Sequence, residues 1–264
     1  MTVCEPKLPP SPVPDPSAAL VAARAVLRRL ATRRVLLLAV LTVAFAALSW
    51  AVLVGKPFGV IDHRGQSLHT HVTGYRHLLQ RYVLLGQRGP TCAVALVWFV
   101  VLSLIRRTPD SLMLFGVGEL GNNLLVGVVK LATGRWGPAA TTNVHDILAG
   151  GDIFPSGHVS NAVVLFGVLT VTAGRWRRGL TLLSIWVAGS VGVATVLLDT
   201  HWITDVVGGW LAGSIVLLCL PSHDGLTRRI LRMPGRLVAI VRPAPEPTAP
   251  EPGGVAVFEE ADAA

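Results

Sequence analysis

The chain has 264 residues, of which 52% are hydrophobic and only 14% charged, with a formal net charge of +8. Ordinary soluble domains carry about 25% charged residues, so a soluble enzyme is disfavoured and an integral membrane protein expected. Cys4, Cys92 and Cys219 are scattered without paired spacing, which points to neither a zinc site nor a disulfide framework.

Residues 1–20 are rich in Pro, Ser and Ala and cannot bury a core, so they are expected to be disordered. Residues 19–34 read as a short basic helix with Arg24, Arg28, Arg29, Arg33 and Arg34. A juxtamembrane anchor explains that charge better than nucleic-acid binding does. Residues 1–34 are therefore one cytoplasmic segment, and residues 35–221 form the membrane domain.

Six spans follow from the apolar runs: 35–54, 91–105, 111–131, 158–173, 179–198 and 202–220. The first is read as an uncleaved span, because a signal peptide would need an unusually long leader. Residues 55–90 form a polar loop whose His63, His69, His71 and His77 are read as solvated, with an interfacial helix around residues 75–85. Glu119, Asn122 and Asn123 interrupt the third span and should face the bundle interior. Residues 222–264 read as a cytoplasmic, largely disordered tail. No internal repeat of 20–50 residues is apparent.

Arginines at 24–34, 106–107, 175–178 and 228–236 occupy alternate connections. The positive-inside rule then places both termini in the cytoplasm of a plasma-membrane protein. Lys130, residues 156–158 and His201 all fall on the outer edge.

That edge holds the chemistry. Pro155 suits a helix start, because its missing N–H would have had no partner there. Ser156, Gly157 and His158 then offer unpaired first-turn N–H groups, which bind anions. His201 and Asp205 are four apart, so on a helix they share a face and Asp205 can orient the imidazole. Taken alone, that pair is as well explained by a helix cap. Asp199, just before His201, reads as a turn residue. His145, Asp146 and Asp152 line a pocket mouth or are simply solvated.

Pro155, Ser156, Gly157 and His158, with His201 and Asp205 downstream and Lys130 upstream, resemble the type 2 phosphatidic acid phosphatase (PAP2) superfamily over roughly residues 90–220. The resemblance implies an all-α six-helix membrane bundle with a PAP2/haloperoxidase-like core and an extracytoplasmic site. It also implies metal-independent, cofactor-free phosphoryl transfer from a lipid phosphate or diphosphate. His201 would become a phosphohistidine and His158 would protonate the leaving oxygen. Asp205 would orient His201, and Lys130 with the N–H groups of Ser156 and Gly157 would hold the phosphate.

Two family arginines are absent: Gly137, with six residues between it and Lys130, stands where the family has Arg, and Ala194-Thr195 replaces Ser-Arg. Arg135 is the expected substitute ligand, with Thr195 a weaker one. Arg88 is read as an ordinary loop residue, so Arg135→Ala is expected to harm turnover more than Arg88→Ala. The alternative function is a catalytically impaired relative that binds lipid phosphates. A transporter is a weaker alternative, favoured only by Glu119, Asn122 and Asn123.

Overall fold

A computed structural model of the chain describes residues 16–54, 59–67, 73–138 and 151–221. All of them lie within one compact unit, Met1–Thr227. Eight α-helices are described: α1 Pro16–Leu53, α2 Gly59–Ser67, α3 Arg76–Tyr82, α4 Arg88–Arg106, α5 Asp110–Thr133, α6 Gly157–Thr172, α7 Arg177–Leu197 and α8 Ile203–Cys219. No strand occurs among the described residues. The interfacial helix expected around residues 75–85 is α3, flanked by single 3₁₀ turns at Thr73–Tyr75 and Val83–Gly86.

The first helix differs from the sequence expectation. The basic segment and the first span are one continuous helix from Pro16, so residues 16–20 are not an unstructured leader. Residues 1–15 and the expected disordered tail, 222–264, lie outside the described residues, as do His69, His71, His145 and Asp146. The second difference is α2. Its sequence is polar and lacks an apolar stripe, so nothing local announces a helix, yet Asp62 and Gly65 are buried.

Four helical segments are long and apolar enough to cross a bilayer: Ala31–Leu53, Arg88–Arg106, Asp110–Thr133 and Gly174–Leu197. α6 and α8 are also apolar but have 16 and 17 residues, which at 1.5 Å per residue reach about 24–26 Å. Exposed Val, Leu, Ile and Trp side chains cover α1, α4, α5 and α7, as a lipid-facing surface requires.

α6 is the central helix, with nine of its residues buried. Lipid supplies no hydrophobic force between helices, so close packing of small residues must hold them. α8 provides it. A Cβ on Gly209 would stand 2.7 Å from the Ser156 carbonyl oxygen, and one on Gly213 would stand 2.7 Å from Val163 Cβ. Polar pairs add register: Thr170 to Ser184 at 2.9 Å, Tyr82 to Ser190 at 2.6 Å, and Trp210 Nε1 to the Ala188 carbonyl at 3.0 Å.

The polar face of α5 behaves as expected for Glu119 and Asn122, which are both buried. Asn123 is exposed instead, and donates to the Glu119 carbonyl one turn back at 2.9 Å. At the far edge arginines cap helix C-termini, where they complement the helix dipole. Arg34 Nε donates to the Leu218 carbonyl at 2.8 Å, and Arg106 to the Thr172 carbonyl at 2.8 Å.

Gly209→Ala should therefore destabilise the bundle by about 1–3 kcal/mol through overpacking. Gly116→Ala, whose Cβ would meet nothing within 4 Å, should be neutral or stabilising. Thermal unfolding in detergent checks both; equal midpoints for the two variants would refute the packing account.

Candidate active site

Four helix ends meet at one edge of the bundle: the start of α4, the end of α5, the start of α6 and the start of α8. Each brings one or more ionisable side chains.

The α6 end is built by its cap. Ser156 is the N-cap residue, and its hydroxyl accepts from Val159 N at 3.4 Å. Pro155 sits one residue before the cap, not at the first helical position, and Phe154 in front of it is fully buried against Phe45 with ring centroids 6.3 Å apart. Ser156 N donates to the Asp205 carbonyl at 2.9 Å, so this N–H is not available to a ligand as the sequence suggested. It binds the start of α6 to the start of α8 instead. Gly157 and His158 remain as first-turn donors without an intrahelical acceptor.

The α8 end is built by carboxylates. Asp205, fully buried, reaches back so that Oδ2 accepts from Trp202 N at 2.9 Å. Asp62 of α2 adds a second cap: Oδ1 accepts from Thr204 N at 3.0 Å and Oδ2 from the Thr204 hydroxyl at 2.9 Å. Between them lies Arg135. One arm donates to Asp205 Oδ1 at 2.5 Å and to the Thr204 hydroxyl at 2.6 Å; the other donates to Asp62 Oδ2 at 2.7 Å. The guanidinium also lies 5.5 Å from the Trp202 ring centroid.

His201 precedes α8 in a tight turn. The Thr195 carbonyl gathers three donors there: Thr200 N at 3.1 Å, the Thr200 hydroxyl at 2.9 Å and His201 N at 3.3 Å. Asp199 takes a left-handed conformation, φ 59°, in the same turn, which fits its reading as a turn residue. His201 Nδ1 lies 3.5 Å from Asp205 Oδ2, and the ring is 6% exposed. His158 faces it across the site, with ring centroids 6.0 Å apart and planes at 70°.

Lys130 closes the α5 end. Its ammonium donates to the Asp152 carbonyl and stands 3.9 Å from the Asp152 carboxylate. The backbone around Asp152 is held by Ile153 N donating to the Arg135 carbonyl at 3.1 Å. A Cβ at Gly151 would lie 2.4 Å from that same carbonyl, so only glycine lets the two segments cross.

Six of the eight residues singled out from the sequence thus meet at this edge: Lys130, Ser156, Gly157, His158, His201 and Asp205. Two expectations need correction. Arg135 faces two carboxylates behind the histidines, so it is not a free cation for a ligand. Thr195 is 1% exposed and its hydroxyl donates to the Gly192 carbonyl at 2.7 Å, within its own helix.

Two residues were missed. Asp62 carries no local signal, because its partners lie 73 and 142 positions away. Arg88 was passed over among several loop arginines. Its guanidinium lies over Gly157, where an added Cβ would be 3.3 Å from an Arg88 terminal nitrogen. The ionisable groups acting on His158 are His201, Lys130 and Arg88. Among the described residues no three His, Cys, Asp or Glu side chains form a metal-holding group.

The chain resembles known proteins. The PAP2 superfamily model matches residues 111–226. Phosphatidylglycerophosphatase B of Bacillus subtilis (strain 168) is 25% identical over 134 residues, covering 47% of this chain and 63% of that protein. The aligned region therefore spans less than two thirds of the relative's length. The crystal structure of a transmembrane PAP2-type phosphatidylglycerolphosphate phosphatase from Bacillus subtilis matches with a TM-score of 0.54 at 21% identity. That match covers 74% of this chain and 98% of the other, and what it shows is a common fold.

Removing the Arg135 side chain leaves two buried carboxylates facing each other. Arg135→Ala should cost about 3–5 kcal/mol and lower the unfolding temperature sharply. Arg135→Lys should rescue little, because one ammonium cannot span both acids. An Arg135→Ala protein that melts with the parent would overturn this placement.

Proposed function

From its membership of the PAP2 superfamily, carried by residues 111–226, we propose that this integral membrane protein is a metal-independent lipid phosphate phosphatase or phosphotransferase. The observation that carries the reading is the pair of imidazoles, His158 and His201, facing each other at 6.0 Å with a carboxylate behind only one of them.

That asymmetry assigns the roles. His201 Nδ1 stands 3.5 Å from Asp205 Oδ2 and makes no hydrogen bond in this structure. In the proposed mechanism Nδ1 carries the proton, drawn to that carboxylate, which leaves Nε2 with its lone pair towards the site. Nε2 attacks phosphorus as the bond from phosphorus to the lipid oxygen breaks. The departing oxygen takes a proton from the His158 imidazolium on the opposite side. In the second step water gives a proton to His158 and attacks phosphorus. The N–P bond breaks, phosphate leaves, and both rings are restored. An alcohol in place of water makes the reaction a phosphotransfer. Such a displacement needs in-line geometry and positive charge on the equatorial oxygens. Lys130 and the first-turn N–H groups of Gly157 and His158 supply that charge.

A lipid-borne substrate is supported by the surroundings. An apolar cleft lined by Val193, Val196, Ile203, Val207 and Trp210 lies between α7 and α8, and its Ile203 is two residues from His201. An apolar groove there suits an acyl chain. The arginine distribution favours a reading with both termini in the cytoplasm and the site at the outer face of the plasma membrane. The similar phosphatidylglycerophosphatase makes phosphatidylglycerophosphate the first substrate to try, alongside phosphatidate and a polyprenyl diphosphate.

Phosphate release from that panel by purified protein in detergent should be lost in His201→Ala and should fall about 10²–10⁴-fold in His158→Ala. Acid-sensitive, alkali-stable protein-bound phosphate should form in the parent and vanish in His201→Ala. Turnover surviving intact in either histidine variant would sink this mechanism.

A further inference from the structure

We propose that Arg88, at the first position of α4, is the cation that binds the substrate phosphate in place of the two arginines absent at Gly137 and Thr195. The inference rests on the phosphoryl-transfer reading above and names the ligand that reading lacks.

The backbone explains how a residue outside the matched segment reaches the site. The turn before α4 approaches α6 closely. A Cβ on Gly86 would stand 2.6 Å from the His158 carbonyl oxygen, so only glycine permits this contact. Asn161 then fastens the corner, its amide donating to the Gly86 carbonyl at 3.2 Å and to the Thr91 hydroxyl at 3.0 Å. Gln87 is extended, with ψ 125°, and the helix begins at Arg88. Arg88 is therefore held two residues from a fixed point, with its guanidinium over the first turn of α6.

The partners of the two arginines decide between them. Both terminal nitrogens of Arg135 are bonded, to three side-chain acceptors, and the group has an aromatic face; only its Nε lacks a partner. Arg88 has Nε and a terminal nitrogen buried with no hydrogen-bond partner. A buried donor left unmade is costly, and a phosphate oxygen is its natural acceptor. Gly157 has no side chain to stand between the guanidinium and an anion on the α6 N-terminus. Lys130 is the second cation near His158. Gly157 and Arg88 are coupled, because a methyl at 157 would press on the guanidinium.

The competing role for Arg88 is structural. The buried Glu119 carboxylate lies among its charged neighbours, so Arg88 would serve only to neutralise it. The test separates the two. Purified full-length protein in detergent is titrated with tungstate, a phosphate mimic, following binding by calorimetry, and turnover is measured on the lipid panel. Arg88→Ala should weaken tungstate binding at least about tenfold and lower kcat/KM about 10²–10³-fold, the scale for one preorganised donor. Arg88→Lys should recover part of both. Arg81→Ala, on the exposed face of α3, should change neither.

The double variant Arg88→Ala/Glu119→Gln removes the uncompensated charge and guards against a folding defect. It should melt like the parent yet still fail to bind tungstate. If it binds as Glu119→Gln alone does, Arg88 is only a counter-ion and the proposal falls. It falls equally if the parent binds no tungstate, or if Arg88→Ala binds as the parent does. Arg88-dependent binding without hydrolysis of any lipid phosphate would instead uphold Arg88 and remove the enzymatic reading.

Discussion

The chain Asp62–Arg135–Asp205 is the constraint on which the rest of this molecule depends. It joins three segments: the polar helix α2, the stretch after α5, and the start of α8. Two carboxylates against one guanidinium leave an excess negative charge in a buried place. The amide N–H groups of Trp202 and Thr204 at the α8 N-terminus absorb it. Each carboxylate uses one oxygen towards the arginine and the other towards the helix end. Asp205 is thereby fixed in the one orientation that leaves its Oδ2 beside the His201 ring. A lysine at 135 has no second arm, and the two acids would then repel across the gap.

This anionic chain lies behind the histidines, and what lies in front has the opposite sign. The N-termini of α4 and α6 and the ammonium of Lys130 converge on the same edge. Helix N-termini and cations of this kind favour a bound anion. The carboxylates are already neutralised by Arg135 and by amides, so they oppose this field little. The positive ends are brought together by glycine-mediated contacts, at Gly86 with His158 and at Gly209 with Ser156, rather than by apolar side chains. In a bilayer, where apolar surface alone does not drive helices together, such contacts set the spacing of the site.

Much of this was legible in the sequence. The apolar runs located six apolar helices to within a few residues, the start of α1 apart, because hydrophobicity along a helix is a local property; four of them are long enough to span a bilayer. The His158 and His201 pair could be placed at one edge because alternate arginine-rich connections order the spans. What escaped notice was long-range pairing. Arg135 looked like a ligand because its two acids are 70 and 73 positions away. Ser156 looked like a free donor because its acceptor, the Asp205 carbonyl, is a backbone atom of another helix. α2 was read as loop because its burial comes from one aspartate and one glycine, too few for a periodic signal. The Arg88 side chain gave no sign at all, since its place is set by Gly86 and Asn161.

The exchange of roles between the two arginines follows from their terminal nitrogens: both of Arg135's are bonded to buried carboxylates, and only its Nε is unpartnered. Such a guanidinium can grip a phosphate through its terminal nitrogens only by releasing a carboxylate, and breaking such a pair costs several kcal/mol. That cost would come out of substrate affinity. A guanidinium with buried, unpartnered nitrogens carries the opposite balance, since a ligand oxygen relieves a penalty already present in the free protein. Arg135, two residues before the vacant motif position, is therefore where a ligand would bind less well, and Arg88, outside the motif, is where binding would be assisted. On the proposed reading a cation from α4 would approach phosphorus from the His158 side, whereas the vacant motif positions lie on the segments after α5 and at the end of α7. The proposed phosphate site would then be tied to the α4–α6 contact at Gly86, and substitutions there should be felt at phosphorus.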